Sequence, residues 1–483
     1  LGVGRPTPKP TATPHTFPAP IRGLVLNENV ASVQPAAARI LDNWICDTDT
    51  IRVRGGSTKF ATLGAAAKKL FVYKSGSTET LFGATESAIY NITSPADADV
   101  APAADVSGLN GGNWSVQAFG TAGGDFIYAV NGEDSPQLYD GSSWTAIDGA
   151  ATPAITGITT SNLSQVWAFA RRLFVVEKGT LNTQYLPVDS IGGAVGQFSL
   201  AGIFKKGGSL LFGATWSSDA GDSLQDRCVF VSTEGEVAVY SGTDPSSAST
   251  WSIVGLYQLP RPIGPEGHIQ VGGNLLIATE SGLFPISAAV MGEISALSNA
   301  AASRNIAPLW QKQSSALASD RWEVERLSLA NLLLVSQPGG DGLFCMNIQT
   351  RAWSRWTGIS VDCMAEFTGL GVHGDSDGSV FFMDNGGSDN GLPIQVRYLG
   401  SFDALGAYGS TKTVRQARPI FRSALGFQPR LRFATDFDEE PSTFPNSPVN
   451  NSGDLWDVGA WDNALWDAEV LAFQANGRWV SIG

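Results

Sequence analysis

Residues 232–240 read Ser-Thr-Glu-Gly-Glu-Val-Ala-Val-Tyr, a small polar turn followed by an apolar, β-branched run. The same pattern returns as Ala-Thr-Glu-Ser-Ala-Ile-Tyr at residues 84–90 and as Ala-Thr-Glu-Ser-Gly-Leu-Phe at residues 278–284. Each copy follows another apolar run, so each predicts a β-hairpin. The chain is therefore organised around a repeated hairpin.

Weaker copies of this hairpin fill the intervals between the clear ones. Acidic turn residues mark seven copies: Glu86, Glu133, Glu177, Glu234, Glu280, Asp341 and Asp377. The steps between them are 47, 44, 57, 46, 61 and 36 residues, and a period of about 45 matches one blade of a β-propeller. A single blade cannot bury both of its apolar faces, so blades stack until the ring closes. The sequence thus predicts an all-β fold, an irregular six- or seven-bladed β-propeller, with a β-sandwich as the alternative.

The hairpin repeat divides the chain into four segments. Residues 1–20 hold six prolines and predict an extended arm, and residues 64–392 form the predicted propeller. Helical spacing and Pro308 predict a helical insertion at about 288–325. Residues 21–63 and 393–483 are predicted to combine into a smaller β platform, because chain ends commonly lie close together.

Composition and charge restrict the classes of function. The chain has 483 residues and a net charge of −14, which disfavours a surface built to clamp phosphates. No apolar run is long enough to span a membrane, and the start lacks a signal-peptide pattern. The four scattered cysteines predict free thiols in a protein made in the cytoplasm: Cys46, Cys228, Cys345 and Cys363.

No set of residues predicts catalysis, a cofactor or a metal. The three histidines, His15, His268 and His373, stand apart without a second ligand at metal spacing, and no Gly-x-Ser-x-Gly elbow is present. Residues 217–221 resemble only the start of the Asp-box turn of sialidase-type propellers, while residues 374–378 offer Ca²⁺ ligands without the full loop spacing. The sequence therefore predicts a protein that is not an enzyme.

Tryptophans near the end of the chain recur in a Trp-Asp pattern. Trp456, Trp461 and Trp466 lie five residues apart, a spacing that fits neither a helix nor a strand. Three interpretations stay open: a core for the terminal domain, aromatic anchors at a subunit interface, or a platform for stacking sugars.

Several stretches resemble the tail hub or nozzle proteins of short-tailed phages, also called packaged-DNA stabilisation proteins or tail tubular protein B. The resemblance rests on residues 37–44 and 51–59, on the hairpin region 230–242, on the helical insertion with Pro308-Leu309-Trp310, and on the Trp-Asp tail. It covers most of the chain from about Ala31 onward.

The resemblance implies a structural virion protein. In that family six copies form a ring below the portal and the adaptor, which extends the DNA conduit, retains packaged DNA and lets it pass into the host. The implied partners are the adaptor ring and tail fibre or needle proteins, with DNA in the lumen and no sequence-specific contact. An acidic wall suits this role because it does not grip sliding phosphates.

The resemblance also suggests functional residues. The platform or ring contacts it implies are Trp44, Arg52 and Arg54, and the implied interface anchors are Trp310 together with the three tail tryptophans. The alternative functions are a carbohydrate-binding or glycan-cleaving propeller, suggested by the Trp-rich tail and acidic turns, and an intracellular scaffold.

Overall fold

The structure is a computed structural model that describes residues 13–219, 224–290, 294–317, 321–417, 419–420, 422, 433–439, 471–477 and 480–482. Four strands precede the hairpin repeat: β1 (Ala38–Asp42), β2 (Trp44–Cys46), β3 (Ile51–Val53) and β4 (Thr58–Thr62). Strands β2 and β3 pair with each other as an antiparallel hairpin. Residues 13–20 contain neither helix nor strand.

The first two blades are four-stranded antiparallel sheets that follow chain order. Blade 1 holds β5 (Lys69–Ser75), β6 (Thr78–Ala84), β7 (Ala88–Asn91) and β8 (Val106–Ser107). Blade 2 holds β9 (Ser115–Thr121), β10 (Gly124–Val130), β11 (Gln137–Tyr139) and β12 (Trp144–Ala146).

Blades 3 and 4 repeat the same order, with a small addition to blade 3. Next along the chain come β13 (Ile155–Thr156), a 3₁₀ turn (Thr160–Asn162), β14 (Leu163–Phe169), β15 (Arg172–Glu177), β16 (Asn182–Tyr185), β17 (Gly193–Ala194) and β18 (Gly196–Ser199). Blade 3 is β14-β15-β16-β18, while β13 and β17 form a separate parallel pair. Blade 4 holds β19 (Leu210–Asp219), β20 (Leu224–Ser232), β21 (Glu236–Gly242) and β22 (Trp251–Gln258).

Blade 5 has three strands and the helical insertion. The strands are β23 (His268–Val271), β24 (Asn274–Thr279) and β25 (Gly282–Pro285). They are followed by α1 (Ile286–Val290), α2 (Ile294–Ala300), a 3₁₀ turn (Arg304–Ile306) and α3 (Ala307–Ala316). Proline stands in the first turn of α3, where its missing N–H costs no helical hydrogen bond. The predicted helical insertion is confirmed, and it begins within a blade at the point where an outer strand would follow.

The two remaining blades recruit the N-terminal strands. Blade 6 holds β26 (Glu323–Leu327), β27 (Leu332–Ser336), β28 (Leu343–Asn347) and β29 (Trp353–Trp356), and its sheet continues through β1 to β33 (Arg397–Gly400). Blade 7 holds β30 (Cys363–Phe367), β31 (Leu370–Gly374) and β32 (Ser379–Phe382), and its fourth strand is β4. Residues 58–62 therefore complete the propeller, whereas the sequence placed the whole of 21–63 in a platform.

Seven apolar clusters of described residues lie between adjacent blades, one at each junction. The cluster that closes the ring joins blade 7 to blade 1 and contains Ala61, Leu70 and Val372. Middle strands such as β27 and β28 are buried along their full length because neighbouring blades cover both faces. The fold is thus a closed seven-bladed β-propeller, as the hairpin spacing predicted.

A second group of strands lies beside blade 6. It holds β34 (Lys412–Ala417), paired with β36 (Leu471–Gly477), and β35 (Phe433–Thr435), paired with β37 (Val480–Ile482). Ala434 packs with Leu399 and Phe402 next to β33, and Arg39 of β1 pairs with Glu439 at 2.6 Å. Strands from the N- and C-terminal segments therefore meet at the outer edge of blade 6.

Candidate functional site at the mouth of the central channel

Polar side chains converge where the innermost strands of the blades begin. In a propeller these strands start at the same end of the central channel, so their first residues meet there. Lys69 begins β5 and Glu323 begins β26, while Glu266 lies just before β23. A cavity of about 80 Å³ at this point is lined by Lys68, Lys69, Asn113, Trp114, Gln165, Pro265, Glu266, Arg321, Glu323 and Asp362.

Lys69 lies between two carboxylates that come from distant parts of the chain. Its Nζ donates to Glu266 Oε2 at 2.8 Å and also to Glu323 Oε1. The second oxygen of Glu323 accepts the backbone N–H of Met364 at 2.8 Å. We call Lys69, Glu266 and Glu323 the crossbar, because together with Met364 they connect blades 1, 5, 6 and 7 across the channel mouth.

Lys69 and Glu266 hold each other in their charged forms. Burial opposes the charge of Lys69, but the two carboxylates outweigh burial and raise its pKa above the usual value. Burial likewise opposes ionisation of Glu266, yet the neighbouring Lys69 leaves the pKa of Glu266 below its usual value. Removing one member would therefore leave a buried charge without its partner.

Glu325 lies two residues beyond Glu323 on the same strand, and hence on the same face. Burial, with repulsion from Glu323 as the second cause, raises the pKa of Glu325 to about 8. Glu366 of β30 adds to this repulsion and accepts the N–H of Ser328 at 3.0 Å. Glu325 therefore keeps its proton to a higher pH than an exposed glutamate does.

This arrangement is better suited to structure than to glycoside hydrolysis. Hydrolysis of that kind pairs an ionised carboxylate with a protonated one across the scissile bond, but both crossbar carboxylates hydrogen bond to a single ammonium. Within the described ranges, no group of three or more His, Cys, Asp or Glu residues is placed to hold a metal ion.

The predicted platform residues near the N-terminus have distinct environments. Arg54 is buried, with a side chain that is 1% exposed, and its Nη1 and Nη2 donate to Asp389 at 2.8 and 2.7 Å. Arg52 is 43% exposed and pairs with Asp384 at 2.7 Å. Trp44 is partly buried and donates from Nε1 to Arg397 O at 3.2 Å. The guanidinium of Arg54 is therefore not available for docking, while docking through Trp44 and Arg52 stays a prediction.

Of the four predicted aromatic anchors, the structure describes only Trp310. Trp310 is 0% exposed, donates from Nε1 to Thr279 O at 2.8 Å and stacks on Phe344 with ring centroids 5.6 Å apart. It belongs to the core between blades 5 and 6, so its prediction as an interface anchor is wrong. Trp456, Trp461 and Trp466 lie outside the described residues.

Two of the three histidines lie in separate blades, His268 partly buried and His373 buried. His268 lies beside the crossbar, where its ring stacks on Phe212 at 4.1 Å and its Nδ1 is 2.8 Å from Pro265 O. Burial lowers the pKa of His268. His373 in β31 is 2% exposed and stacks on Phe381 at 5.2 Å, and burial lowers its pKa to about 4. The structure does not bring these histidines together.

The four cysteines are buried free thiols, as predicted: Cys46, Cys228, Cys345 and Cys363. Burial raises the pKa of Cys46 to about 12 and raises the pKa of the other three as well. These groups remain protonated and weakly nucleophilic at neutral pH.

The search for motifs missed the crossbar. Glu266 is 197 residues and Glu323 is 254 residues beyond Lys69, so no local motif connects them. The available signal was positional, because each charged residue stands at or just before an innermost strand. The crossbar residues would have been found by aligning the blades on their acidic turn residues and comparing the residues at or just before each first strand.

The fold and site define a seven-bladed β-propeller with a polar crossbar at the channel mouth. No protein-family model matches the chain, and no curated protein matches it. None of the helices among the described residues combines the length and the hydrophobicity needed to span a membrane.

The solved structures similar to this chain have low sequence identity to it and low TM-scores. The BBS1N part of a complex with ARL6DN is 9% identical at a TM-score of 0.43, covering 74% of this chain and 100% of that one. Sqt1 of Saccharomyces cerevisiae is 12% identical at a TM-score of 0.40, and the match covers 77% of this chain and 94% of that one. The computationally designed Ika8 protein is 9% identical at a TM-score of 0.36, and the match covers 68% of this chain and 99% of that one. Likenesses of this size carry no information about function.

Proposed function

We propose that this chain is a structural virion protein of a phage tail. In this proposal six copies form a nozzle or hub ring below the portal and adaptor, which extends the DNA conduit, retains packaged DNA and lets it leave during infection. The proposed partners are the adaptor ring and tail fibre or needle proteins, and the protein acts by shape and assembly without catalysis.

The observation that carries the proposal is the second group of strands on the outer edge of blade 6. There β1 and β33 extend the sheet, and the Arg39–Glu439 pair at 2.6 Å ties the N-terminal segment to the C-terminal strands. A rigid propeller with a second β body at its side is a suitable building block for a ring, since each body offers a separate contact surface.

The crossbar decides where DNA would pass in such a ring. Lys69 connects blades 1, 5 and 6 across the channel mouth, so a duplex has no path through the propeller itself. The conduit would instead follow the symmetry axis between copies. The net charge of −14 agrees with a wall along which phosphates slide without binding.

The test is the assembly state and the location of the chain. Mass photometry of the purified full chain, each copy 50.8 kDa, is expected to detect a six-copy species, either alone or with the adaptor ring. Electron microscopy of the virus particle is expected to place an antibody against this chain on the tail. A chain that stays monomeric under both conditions and is missing from particles would overturn the proposal.

A further inference from the structure

Strand β22 (Trp251–Gln258) is an unusual outer edge of this propeller. It is the last strand of blade 4 in the sheet order, so within the described part of the chain no strand pairs with its outer side. Its eight residues include no charge and no proline, and one β-bulge at Val254 interrupts its pairing with β21. Most long edge strands carry such residues, because they discourage pairing with another chain.

The side chains of β22 are also apolar and exposed. Ile253, Val254 and Leu256 are 47%, 42% and 43% exposed, whereas Tyr257 packs against the cluster that includes Ala288 and Ala289 of α1. Adjacent aliphatic side chains at an open sheet edge are typical of an interaction surface. Strand addition is the recognition mode that suits this edge, since it satisfies backbone groups and covers the side chains together.

The N-terminal arm has a proline pattern that matches such an edge. Its six prolines, Pro6, Pro8, Pro10, Pro14, Pro18 and Pro20, all stand at even positions. Successive N–H groups of a strand point to opposite edges, so an extended arm would keep the donors of Thr7, Lys9, Thr11 and Thr13 on one edge, and only that of Ala12 among positions 6, 8, 10 and 12 on the other. Residues that precede proline also favour extended backbone.

Charge favours contact between the arm and the body of another copy. The first 20 residues contain Arg5 and Lys9 and no acidic residue, while the remaining residues carry 29 basic and 45 acidic side chains. The arm is therefore a cationic segment of an otherwise anionic protein, and opposite charge steers such segments together.

We propose that residues 5–13 of one copy add as a strand to β22 of a second copy. The donor-bearing odd positions face β22, and the prolines leave Ala12 as the one donor on the new outer edge, which discourages the addition of a further strand. This inference concerns assembly alone and does not depend on the assignment to a phage tail.

The test uses the full chain with a photo-crosslinking residue in place of Leu256. Unlabelled and heavy-isotope-labelled copies are mixed before irradiation, and mass spectrometry identifies the linked peptides. The expected product joins position 256 of one copy to residues 5–13 of another. A crosslinker at Val188, which is 45% exposed on another part of the ring, is expected to give no such product.

Two proline substitutions in the arm separate strand pairing from simple contact. Thr11→Pro removes a donor from the pairing edge and is expected to lower the crosslink yield at least tenfold. Ala12→Pro adds the same ring at an even position and is expected to leave the yield within twofold. Equal effects of the two variants would overturn the proposal, as would links within one copy, links between two β22 strands, or no link at all. A six-copy ring without this crosslink would leave the proposed function standing.

Discussion

Replacing Arg54 with methionine is expected to destabilise the propeller strongly. Arg54 lies just before the closing strand β4, and Asp389 lies in the loop after β32, the strand with which β4 pairs. The substitution keeps most of the side-chain volume and removes the charge. It therefore tests the ion pair rather than the packing.

The magnitude follows from the contacts of Arg54. Its guanidinium makes two hydrogen bonds to Asp389, at 2.8 and 2.7 Å, and donates to Asn43 Oδ1 at 2.8 Å and to Gly55 O at 2.9 Å. Asp389 is only 13% exposed, so it would be left as a largely desolvated, unpaired carboxylate. Breaking a buried pair in this way costs about 3–5 kcal/mol. For a propeller of about 400 residues the entropy of unfolding is roughly 0.8 kcal/mol/K, so this loss corresponds to a fall in Tm of roughly 4–6 °C.

Arg52→Met is the matched control. Arg52 also pairs with a carboxylate, at 2.7 Å from Asp384, but its side chain is 43% exposed. Asp384 additionally accepts the backbone N–H of Gly55, so it keeps a partner when Arg52 is removed. An exposed pair contributes below about 1 kcal/mol.

The assay is urea unfolding followed by circular dichroism and tryptophan fluorescence, with both variants measured beside the parent chain. Adding Asp389→Leu to Arg54→Met is expected to recover part of the loss, since the orphaned carboxylate is then absent. The reasoning would be refuted if Arg54→Met cost less than about 1 kcal/mol, or no more than Arg52→Met.

Three further predictions concern buried titratable groups. Lys69→Met is expected to cost about 3–5 kcal/mol because it removes the ammonium that hydrogen bonds to both crossbar carboxylates. Lys74→Met, whose side chain is 56% exposed beside Glu79, is expected to change the free energy of unfolding by less than about 1 kcal/mol. An equal loss for both variants in thermal unfolding would contradict the role given to the crossbar. Burial lowers the pKa of His373 to about 4 from 6.5, so the free energy of unfolding is expected to fall as pH drops from 6.5 to 4. His373→Leu is expected to remove up to about 3 kcal/mol of that dependence in urea titrations at several pH values. An unchanged dependence of stability on pH would show that His373 is not the group responsible. Burial raises the pKa of Glu325 to about 8 from 4.5, so the stability that its proton contributes is lost as pH rises through 8. Glu325→Gln is therefore expected to gain stability relative to the parent chain from pH 5 to 9. A constant difference in stability between the two proteins across that range would refute the assignment.

The repeat was readable from the sequence because it is local. Each acidic marker lies at or within the turn or loop between the second and third strands of a blade, from Glu86 between β6 and β7 to Asp377 between β31 and β32. Turn chemistry and strand pattern are both set by a few neighbouring residues. The spacing of these turns therefore predicted the propeller and limited its blade count.

Long-range contacts were not readable in this way. Nothing local to residues 58–62 indicates that their partner is residues 379–382. The crossbar could not be predicted for the same reason, because the carboxylates that pair with Lys69 lie on other blades, far away in the sequence. Trp310 was misassigned for a related reason, since exposure depends on what packs over a residue rather than on its own pattern.

The strand that completes blade 7 is made before any of the blades. As the ribosome extends the chain, residues 58–62 must wait for residues 379–382 to appear before they gain a partner. Until then an apolar edge at each end of the growing array stays uncovered, which favours non-productive association in the cell. The folding of residues 58–62 is thereby coupled to the synthesis of residues 379–382, and chaperone demand during translation is expected to fall only when the two strands pair.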